Sequence, residues 1–349
     1  MKAIFFEKHG GPEVLKYGDI PKPKVKPGHA LIRVEACALN HLDIWVRKGW
    51  NGLNLELPHI GGSDVVGEIV ELNSKKSQWS VGTRVAVNPG IVTGEDEWTR
   101  RGEDSVSPGY RIIGEQLPGG FAEYISVPLT NVFRIPDHVT YPEAAASILV
   151  GTTCWRMLLK RAGLQAGQTV LVVGAGGGVN SLAIKLAEKF GATVYALTSS
   201  DEKMKRAQEL GATEVINYRE QRHWAKEILR LTKGRGVDLV VDNVGKATFA
   251  QSIRAVCRGG SIVTVGNTSG HELTLDNRLV FTKQVSLIGS TMGSRQDFMD
   301  AMRFLWTHNI YPPIDRVAPL SEGIQMLRYL EEGEQFGKIV LSPTAESVH

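Results

Sequence analysis

The stretch from residue 169 to residue 190 constrains the fold more than any other part of this sequence. A run of apolar and β-branched residues (169–173) is followed by the glycine-rich run GAGGGV (174–179) and then by a helical pattern, predicted over 182–190. A buried strand, a glycine turn and a helix N-terminus together let backbone N–H groups approach a pyrophosphate. A glycine turn also occurs where a strand and a helix merely pack closely. The strand–helix–strand context here favours dinucleotide binding.

The residues after position 151 repeat one alternation, in which amphipathic helical stretches separate short runs rich in Val, Ile and Leu. This alternation is typical of a parallel sheet whose strands are connected by helices. The residues before position 151 are instead rich in glycine, proline and short β-type runs, which predicts a mostly β, barrel-like region. The predicted strands of the second region are TVLVVG, ATVYAL, TEVINY, VDLVVDNV, GSIVTVG and VSLIGS.

Composition excludes several classes of function. The chain has 349 residues, more than one hydrophobic core usually serves, so two domains are expected. Its net charge of +3 is too small for a dedicated nucleic-acid binder. Because no apolar run is long enough to cross a bilayer, we expect a cytoplasmic protein without membrane partners. Cys37, Cys154 and Cys257 lie too far apart for a C-x-x-C pair and are expected to be buried free thiols.

The residues after the second predicted strand bear on the choice of cofactor. A carboxylate about 20 residues after the glycine turn usually binds the adenosine ribose of NAD(H). Here residues 196–203 read ALTSSDEK, with hydroxyl side chains where the acid is expected. Ser199, Ser200 and Lys203 are candidates to bind a 2′-phosphate, which predicts NADP(H), with NAD(H) as the alternative. Ser199 with Glu202 also fits a capping box of the next helix.

Five segments spread over nearly the whole chain resemble the medium-chain dehydrogenase/reductase superfamily, in particular its quinone oxidoreductase and alcohol dehydrogenase-like branch. They are MKAIFFEKHGGPEVL, ALNHLDIWVRKG, GSDVVGEIVE with VGTRVAVNPG, IIGEQLPGGFAEY and FGKIVL. The resemblance implies an α/β fold in which residues 1–150 and 291–349 form a GroES-like, mostly β catalytic domain. Residues 151–290 would form an inserted Rossmann domain with a doubly wound parallel sheet. It also implies a cofactor in the cleft between the domains, a small-molecule substrate and a homo-oligomer, either a dimer or a tetramer.

Zinc-dependent members of this superfamily bind a catalytic zinc through two cysteines and a histidine. At these positions this sequence carries Asn40, Ser63 and Leu149. Leucine has no ligating atom, and neutral Asn and Ser are poor zinc ligands. The resemblance therefore predicts a site without zinc, lined by the polar catalytic groups Asn40, Asp43 and Ser63. Each has a structural alternative: Asn40 could fix loop backbone, Asp43 could cap a helix and Ser63 could complete a turn.

A second, structural zinc site of the relatives is also lost. Their spacing C-x2-C-x2-C-x7-C is retained, but the four positions read Thr93, Asp96, Thr99 and Ser107. A structural zinc can supply roughly 10–16 kcal/mol of apparent folding free energy in small domains. Without it, this lobe is expected to be held by packing, for example from Trp98 and Tyr110, or to be mobile.

The remaining residue roles follow from the resemblance. His41 is expected at a cofactor phosphate, Lys338 at the pyrophosphate and Tyr218 beside the adenosine. Asn180 departs from the family, whose members have glycine or a small residue there, and is expected to act as a helix N-cap. Three groups would face the nicotinamide: Thr153, Val265 with Gly266 and Asn267, and Ile288 with Gly289 and Ser290. The other predicted cofactor-binding residues are Gly174, Gly176, Gly177, Gly178, Val179, Ser199, Ser200 and Lys203.

The predicted function is a zinc-independent oxidoreductase that transfers hydride from NADPH to a conjugated carbonyl acceptor, a quinone or an enone. Two alternatives stay open. One is an alcohol dehydrogenase-type NAD(P)-dependent enzyme acting on alcohols or ketones. The other is a non-catalytic NADP(H)-binding sensor or structural protein, because loss of the zinc ligands fits degeneration as well as specialisation.

Overall fold

The computed structural model describes residues 1–74 and 77–344, and the chain divides into two compact units. The first unit consists of Met1–Thr152 together with Gly293–His349, and the second is Thr153–Met292. Residues 75–76 and 345–349, which the predicted first domain includes, lie outside the described residues.

The N-terminal part of the first unit is rich in short strands, as its glycine- and proline-punctuated runs predict. Strand β3 is its longest, and it pairs antiparallel with β5 and β9. The elements in chain order are β1 (Lys2–Phe6), β2 (Lys16–Asp19), β3 (His29–Ala38), α1 (His41–Lys48), β4 (His59–Ile60), β5 (Asp64–Leu72), β6 (Arg84–Val87), β7 (Gly90–Val92), α2 (Glu97–Arg100), β8 (Tyr110–Ile112), β9 (Tyr124–Pro128), β10 (Val132–Arg134) and α3 (Tyr141–Trp155).

The second unit alternates strands and helices. Its six strands are all parallel and lie in the order β13-β12-β11-β14-β15-β16, the order of a Rossmann sheet. All six strands predicted from the sequence are confirmed. The elements are β11 (Thr169–Val173), α4 (Gly178–Lys189), β12 (Thr193–Thr198), α5 (Asp201–Glu209), β13 (Glu214–Asn217), α6 (Trp224–Leu231), β14 (Val237–Asp242), α7 (Phe249–Ala255), β15 (Val256–Thr264), α8 (Asn277–Lys283) and β16 (Ser286–Gly289).

The chain then returns to the first unit as α9 (Arg295–Thr307), β17 (Ile314–Pro319), α10 (Gly323–Glu332) and β18 (Lys338–Ser342). Strand β18 is buried along its whole length and lies between β3 and β17 in a seven-stranded sheet. The sheet order is β10-β6-β5-β3-β18-β17, with β9 also paired to β3. Residues from both ends of the chain therefore meet in one sheet, and Lys338 enters it at the first position of β18.

The three cysteines are buried and free, as predicted. Burial raises the pKa of the Cys37 and Cys154 thiols, which keeps them in the unreactive protonated form. Over the described residues, no helix combines the length and the apolar character that crossing a bilayer requires.

Candidate active site

The predicted cofactor-binding residues of the second unit lie mostly at one edge of its sheet. The glycine loop follows β11, Ser199 follows β12, Tyr218 follows β13, Val265 follows β15 and Ser290 follows β16. Because the carboxyl ends of parallel strands meet at one edge, these positions form a single row. Thr153 is the exception, since it lies on α3.

The loop between β11 and α4 has the geometry that a pyrophosphate requires. Gly174 has a φ of +85°, in the left-handed region that favours glycine. A Cβ atom added at Gly177 would meet no heavy atom within 4 Å, so the loop is open at this point. Gly177 is also the N-cap of the 12-residue helix α4, whose dipole favours a phosphate at this end. The loop therefore fits the pyrophosphate of NAD(H) or NADP(H).

The predicted start of α4 and the predicted role of Asn180 are both wrong. The helix begins at Gly178, four residues earlier than expected, because the extended backbone of Gly177 forms the cap. Asn180 instead lies in the first turn, buried, where its Nδ2 donates to the carbonyl oxygens of Val173 (2.7 Å) and Gly174 (2.9 Å). Its Oδ1 accepts from Nδ2 of Asn243 at 2.7 Å. Asn243 is not among the residues predicted from the sequence, although it follows the β14 strand directly.

At the adenosine end, the helix cap is shifted by one residue from the predicted capping box. Ser200, not Ser199, is the N-cap of α5, and its hydroxyl accepts from the Lys203 backbone N–H at 3.3 Å. The hydroxyl of Ser200 therefore caps α5. Ser199 lies one residue before this cap. Tyr218 is 41% exposed, and its backbone N–H donates to the Thr198 carbonyl oxygen. Its ring is thus available for a flat ligand.

Two predicted nicotinamide contacts carry hydroxyl groups that have no partner within the described part of the chain. The Oγ1 atom of Thr153 and the Oγ atom of Ser290 are buried and form no hydrogen bond. Thr153 is only 4% exposed as a residue. Buried polar atoms are nearly always hydrogen-bonded, so these two are suited to a ligand such as the nicotinamide carboxamide. The remaining predicted residues of this group lie at two strand ends: Ile288 and Gly289 are the last two residues of β16, and Val265 to Asn267 follow β15. Val265 donates its N–H to Oδ1 of Asn243 at 2.7 Å.

In the first unit, Lys338 is the centre of a buried polar cluster. Its side chain is 2% exposed, and its Nζ donates to the Leu39 carbonyl oxygen (2.7 Å), Oδ1 of Asn40 (2.6 Å) and Oδ2 of Asp64 (2.9 Å). An ammonium group has three N–H donors, and all three are used here. This arrangement argues against the predicted contact between Lys338 and the cofactor pyrophosphate.

Asp64 connects the three positions at which zinc-dependent relatives carry metal ligands. Its Oδ2 also accepts from Nδ2 of Asn40 at 2.9 Å, and its Oδ1 accepts from the Leu149 N–H at 2.7 Å. Ser63 is its neighbour in the chain. Burial raises the pKa of Asp64, while Lys338 and the two N–H donors oppose this effect by stabilising the carboxylate. Asp64 lies in the family segment GSDVVGEIVE, but no role was predicted for it from the sequence.

Of the three predicted catalytic residues, only Ser63 keeps a free hydrogen-bonding group. The Asn40 amide is engaged by Lys338 and Asp64, as described above. Asp43 accepts the N–H groups of Asn40 (2.7 Å) and Gly62 (3.0 Å), which matches its structural alternative as a helix cap. Burial raises the pKa of Asp43 to about 7, although both N–H groups lower it. Ser63 is fully buried and its Oγ has no hydrogen-bond partner among the described residues, so it is the one group of the three that the protein does not already engage.

His41 is the first residue of α1, beside this cluster in the chain. Burial and the positive charge of Lys338 lower the pKa of its imidazole. A neutral imidazole gives a phosphate less electrostatic stabilisation than an imidazolium would. The predicted phosphate contact of His41 therefore rests on hydrogen bonding alone.

The lobe that lacks structural zinc ligands is held by hydrogen bonds centred on Asp96. Oδ1 of Asp96 accepts the N–H groups of Trp98 and Thr99 at 2.9 Å each, and Oδ2 accepts from Oγ of Ser107 at 2.6 Å. The Asp96 N–H donates in turn to Oγ1 of Thr99 at 2.8 Å. Three of the four positions that the resemblance aligns with zinc ligands thus bond to one another, while Thr93 donates to the Gly109 carbonyl oxygen. These bonds lower the pKa of Asp96.

This finding changes the predicted explanation for the lobe, which invoked packing from Trp98 and Tyr110 or mobility. The Tyr110 hydroxyl does contribute, but by donating to the Gly293 carbonyl oxygen at 3.1 Å. Within residues 1–74 and 77–344, no group of three or more His, Cys, Asp or Glu side chains is placed to hold a metal ion.

Comparison with known proteins identifies the family of this chain. A family model described as the alcohol dehydrogenase GroES-like domain matches residues 26–137, and one described as zinc-binding dehydrogenase matches residues 178–307. The chain is 32% identical to an NAD-dependent alcohol dehydrogenase of Sulfurisphaera tokodaii, with 98% of this chain and 100% of that protein covered.

Solved structures give the same result. The chain is similar to an NAD-dependent alcohol dehydrogenase with 40% identity and a TM-score of 0.94, covering 98% of this chain and 99% of the other. It is also similar to a 2-octenoyl-CoA carboxylase reductase solved with NADP and 2-octenoyl-CoA, with 26% identity, a TM-score of 0.89, and coverage of 99% and 89%. Together with the Rossmann strand order and the glycine loop, these matches show that the chain belongs to the medium-chain dehydrogenase/reductase superfamily and is an NAD(P)-dependent oxidoreductase.

Proposed function

We propose that this enzyme transfers hydride from a reduced nicotinamide cofactor to a conjugated carbonyl acceptor, an enone or a quinone, without a catalytic metal. The observation that supports this proposal best is the hydrogen bonding of the polar cluster in the first unit. The position of a metal ligand is taken by Asn40, whose amide is already bound to Lys338 and Asp64. The one free group in the cluster is the buried Ser63 hydroxyl.

Zinc does not fit this cluster. Leu149 has no ligating side-chain atom and its backbone N–H is donated to Asp64, and Asn40 Oδ1 accepts from an ammonium group at 2.6 Å. A divalent cation at this point would face the buried positive charge of Lys338 at short range. It would also have to displace the hydrogen bonds that satisfy Asp64. The residues therefore favour a site in which the Lys338 ammonium, and not a metal ion, supplies the positive charge.

The poor fit of zinc to this cluster bears on the acceptor. Hydride addition to a simple ketone creates an alkoxide, a basic anion that a metal stabilises strongly as a Lewis acid. Hydride addition to the β-carbon of an enone gives an enolate, whose negative charge is delocalised and which takes a proton afterwards. A hydrogen bond from Ser63 to the carbonyl oxygen would stabilise this less basic anion as its charge develops. The 2-octenoyl-CoA bound by one of the solved relatives is a conjugated carbonyl compound of this kind.

A second candidate is oxidation of alcohols and reduction of saturated ketones, which the names of the relatives favour. The two candidates predict different acceptors. We expect kcat/KM for a small enone or quinone to exceed that for a saturated ketone of similar size. We also expect activity to survive extensive dialysis against a chelator. Steady-state kinetics on one enzyme preparation at one pH, with elemental analysis of the same sample, would test both.

The control for this experiment is an acceptor pair that differs only in the conjugated double bond, such as an unsaturated and a saturated ketone with the same carbon skeleton. A clear preference for the saturated ketone would contradict the proposal. One equivalent of zinc per chain together with loss of activity in chelator would contradict its metal-free form.

Cofactor preference is a separate proposal. The end of β12 has no carboxylate, and Ser199 lies just before the capped start of α5, which supports NADPH. NADH is the alternative, because two of the relatives are named as NAD-dependent. If the 2′-phosphate binds beside Ser199, Ser199→Asp should weaken NADPH binding about tenfold or more through like-charge repulsion and leave NADH binding within about twofold.

Isothermal titration with both cofactors measures this selectivity. Glu202→Gln is a useful companion variant, because it removes an acidic group from the first turn of the same helix. It should improve NADPH binding if the phosphate lies near that turn. Tighter binding of NADH than NADPH by the unmodified enzyme would rule out the preference.

A further inference from the structure

Two buried asparagines join the glycine loop to the segment that follows β15. Asn180 donates to the carbonyl oxygens of Val173 at the end of β11 (2.7 Å) and of Gly174 in the loop (2.9 Å), and it accepts from Asn243 at 2.7 Å. Asn243 in turn accepts the N–H of Val265, also at 2.7 Å. The two side chains are 6% and 8% exposed as residues. They thus form an unbroken chain of hydrogen bonds across the carboxyl ends of three strands, β11, β14 and β15.

The orientation of both amides follows from the backbone groups at the two ends of this chain. The carbonyl oxygens of Val173 and Gly174 can only accept, so the group of Asn180 that faces them is the donor Nδ2. The Val265 N–H can only donate, so the group of Asn243 that faces it is Oδ1. The remaining ends, Oδ1 of Asn180 and Nδ2 of Asn243, then face each other as acceptor and donor. No other assignment of the two amides satisfies all four bonds.

A role in capping α4 does not account for these contacts. The cap of that helix is Gly177, and the N–H of Ser181 already bonds to the Gly177 carbonyl oxygen. The Asn180 amide bonds instead to the strand before the loop and to a neighbouring strand end. Its bonds therefore hold the glycine loop against the sheet edge rather than satisfying the helix.

We propose that Asn180 and Asn243 form an amide bridge that couples binding of the cofactor phosphates at the glycine loop to the position of residues 265–267. This inference rests on the proposed placement of the nicotinamide ring against those residues. When phosphates fix the loop, the bridge fixes the Val265 N–H and with it the backbone that contacts the ring. Both asparagines are positioning residues, since neither needs to touch the cofactor.

The test separates the two ends of the cofactor by comparing NADPH, NADH and ADP-ribose, which lacks the nicotinamide. Asn243→Ala breaks the bridge but leaves the bonds between Asn180 and the β11 carbonyl oxygens. We expect this variant to bind the preferred reduced cofactor about tenfold more weakly, and ADP-ribose with an affinity changed by less than about twofold. In the Asn180→Ser background, the same change should have a much smaller effect, because the bridge is already broken.

Hydrogen exchange gives a second readout that does not depend on catalysis. In the unmodified enzyme, ADP-ribose should slow exchange of the backbone amides at 265–267, although it has no nicotinamide to contact them. This slowing should disappear in Asn243→Ala and in Asn180→Ser. The serine variant is included because serine keeps a small polar side chain at this buried position and is expected to fold.

Asn217→Ala is the matched control. Asn217 is also a buried asparagine at the carboxyl end of a parallel strand, but its side chain bonds to Asp201, Glu220 and the Arg219 N–H instead of the glycine loop. It should leave the ratio of cofactor affinity to ADP-ribose affinity unchanged and retain the exchange effect. If Asn243→Ala weakens both ligands equally, or if ADP-ribose still protects 265–267 in that variant, the bridge is refuted. If no nicotinamide cofactor binds the unmodified enzyme, the proposed function itself fails.

Discussion

Replacement of Lys338 by methionine is expected to destabilise the protein by about 3–5 kcal/mol, because it leaves a buried carboxylate without its counter-ion. Asp64 is fully buried and lies 2.9 Å from the Lys338 ammonium, which also satisfies Asn40 and the Leu39 carbonyl oxygen. Methionine keeps the length of the aliphatic chain and removes the charge. Urea unfolding followed by circular dichroism, with the variant and the unmodified enzyme side by side, measures the loss.

Lys2→Met is the matched control for this prediction. Lys2 and Asp19 form an ion pair at 2.8 Å, but their side chains are 46% and 76% exposed, so water replaces the lost partner. The loss should be far smaller than that of Lys338→Met. The double variant Lys338→Met with Asp64→Asn should recover part of the stability, because it removes both charges. Equal losses for the buried and the exposed pair would show that Lys338 does not neutralise Asp64 in the folded protein.

Replacement of Ser63 by alanine is expected to lower kcat by about 100-fold or more on the preferred acceptor, while stability stays nearly unchanged. The Ser63 hydroxyl is buried and has no partner in residues 1–74 and 77–344, so its removal costs no hydrogen bond to them. If the hydroxyl stabilises the developing oxyanion, its loss should act on the transition state in the way that loss of one oxyanion-hole donor does. Steady-state kinetics, cofactor titration and thermal unfolding of the same preparation distinguish these effects.

Ser105→Ala provides the comparison, because Ser105 is another buried serine of the first unit whose hydroxyl has no partner. It lies beside the Asp96 network, away in the sequence from the residues of the polar cluster. It should retain kcat. A Ser63→Ala enzyme with kcat within about twofold of the unmodified enzyme would remove Ser63 from the catalytic proposal.

The fold was predictable from the sequence because its signals are local and repeated. Each of the six parallel strands is a short run of β-branched and aliphatic residues ended by glycine or a polar residue, and these runs alternate with amphipathic helical stretches, which located them. The start of α4 was missed because residues 178–181 are not strong helix formers. There the cap is set by the backbone conformation of Gly177, which sequence propensity does not report.

The candidate site was predicted in its residues but not in its connections. Asn40, Asp43 and Ser63 were identified through the positions of lost metal ligands, yet their roles differ because of partners far away in the chain. Lys338 is 298 residues from Asn40 in the chain, and its side chain contacts Asn40 because β18 pairs with β3. Contacts of this kind depend on the order of the strands in the sheet. A single sequence does not show which distant side chains that order brings together. The bridge between Asn180 and Asn243 was missed for the same reason.

The hydrogen-bonded lobe around Asp96 has a consequence for how such a sequence can evolve. Asp96 accepts from two backbone N–H groups and from Ser107, so changing it to cysteine removes three bonds in one step. A lone thiolate does not replace them, because a tetrahedral zinc site needs four ligands together. A lineage passing between the metal-bound and the metal-free form of this lobe must therefore cross less stable intermediates. The lobe is an epistatic unit, in which the fitness effect of each of these positions depends on the state of the others.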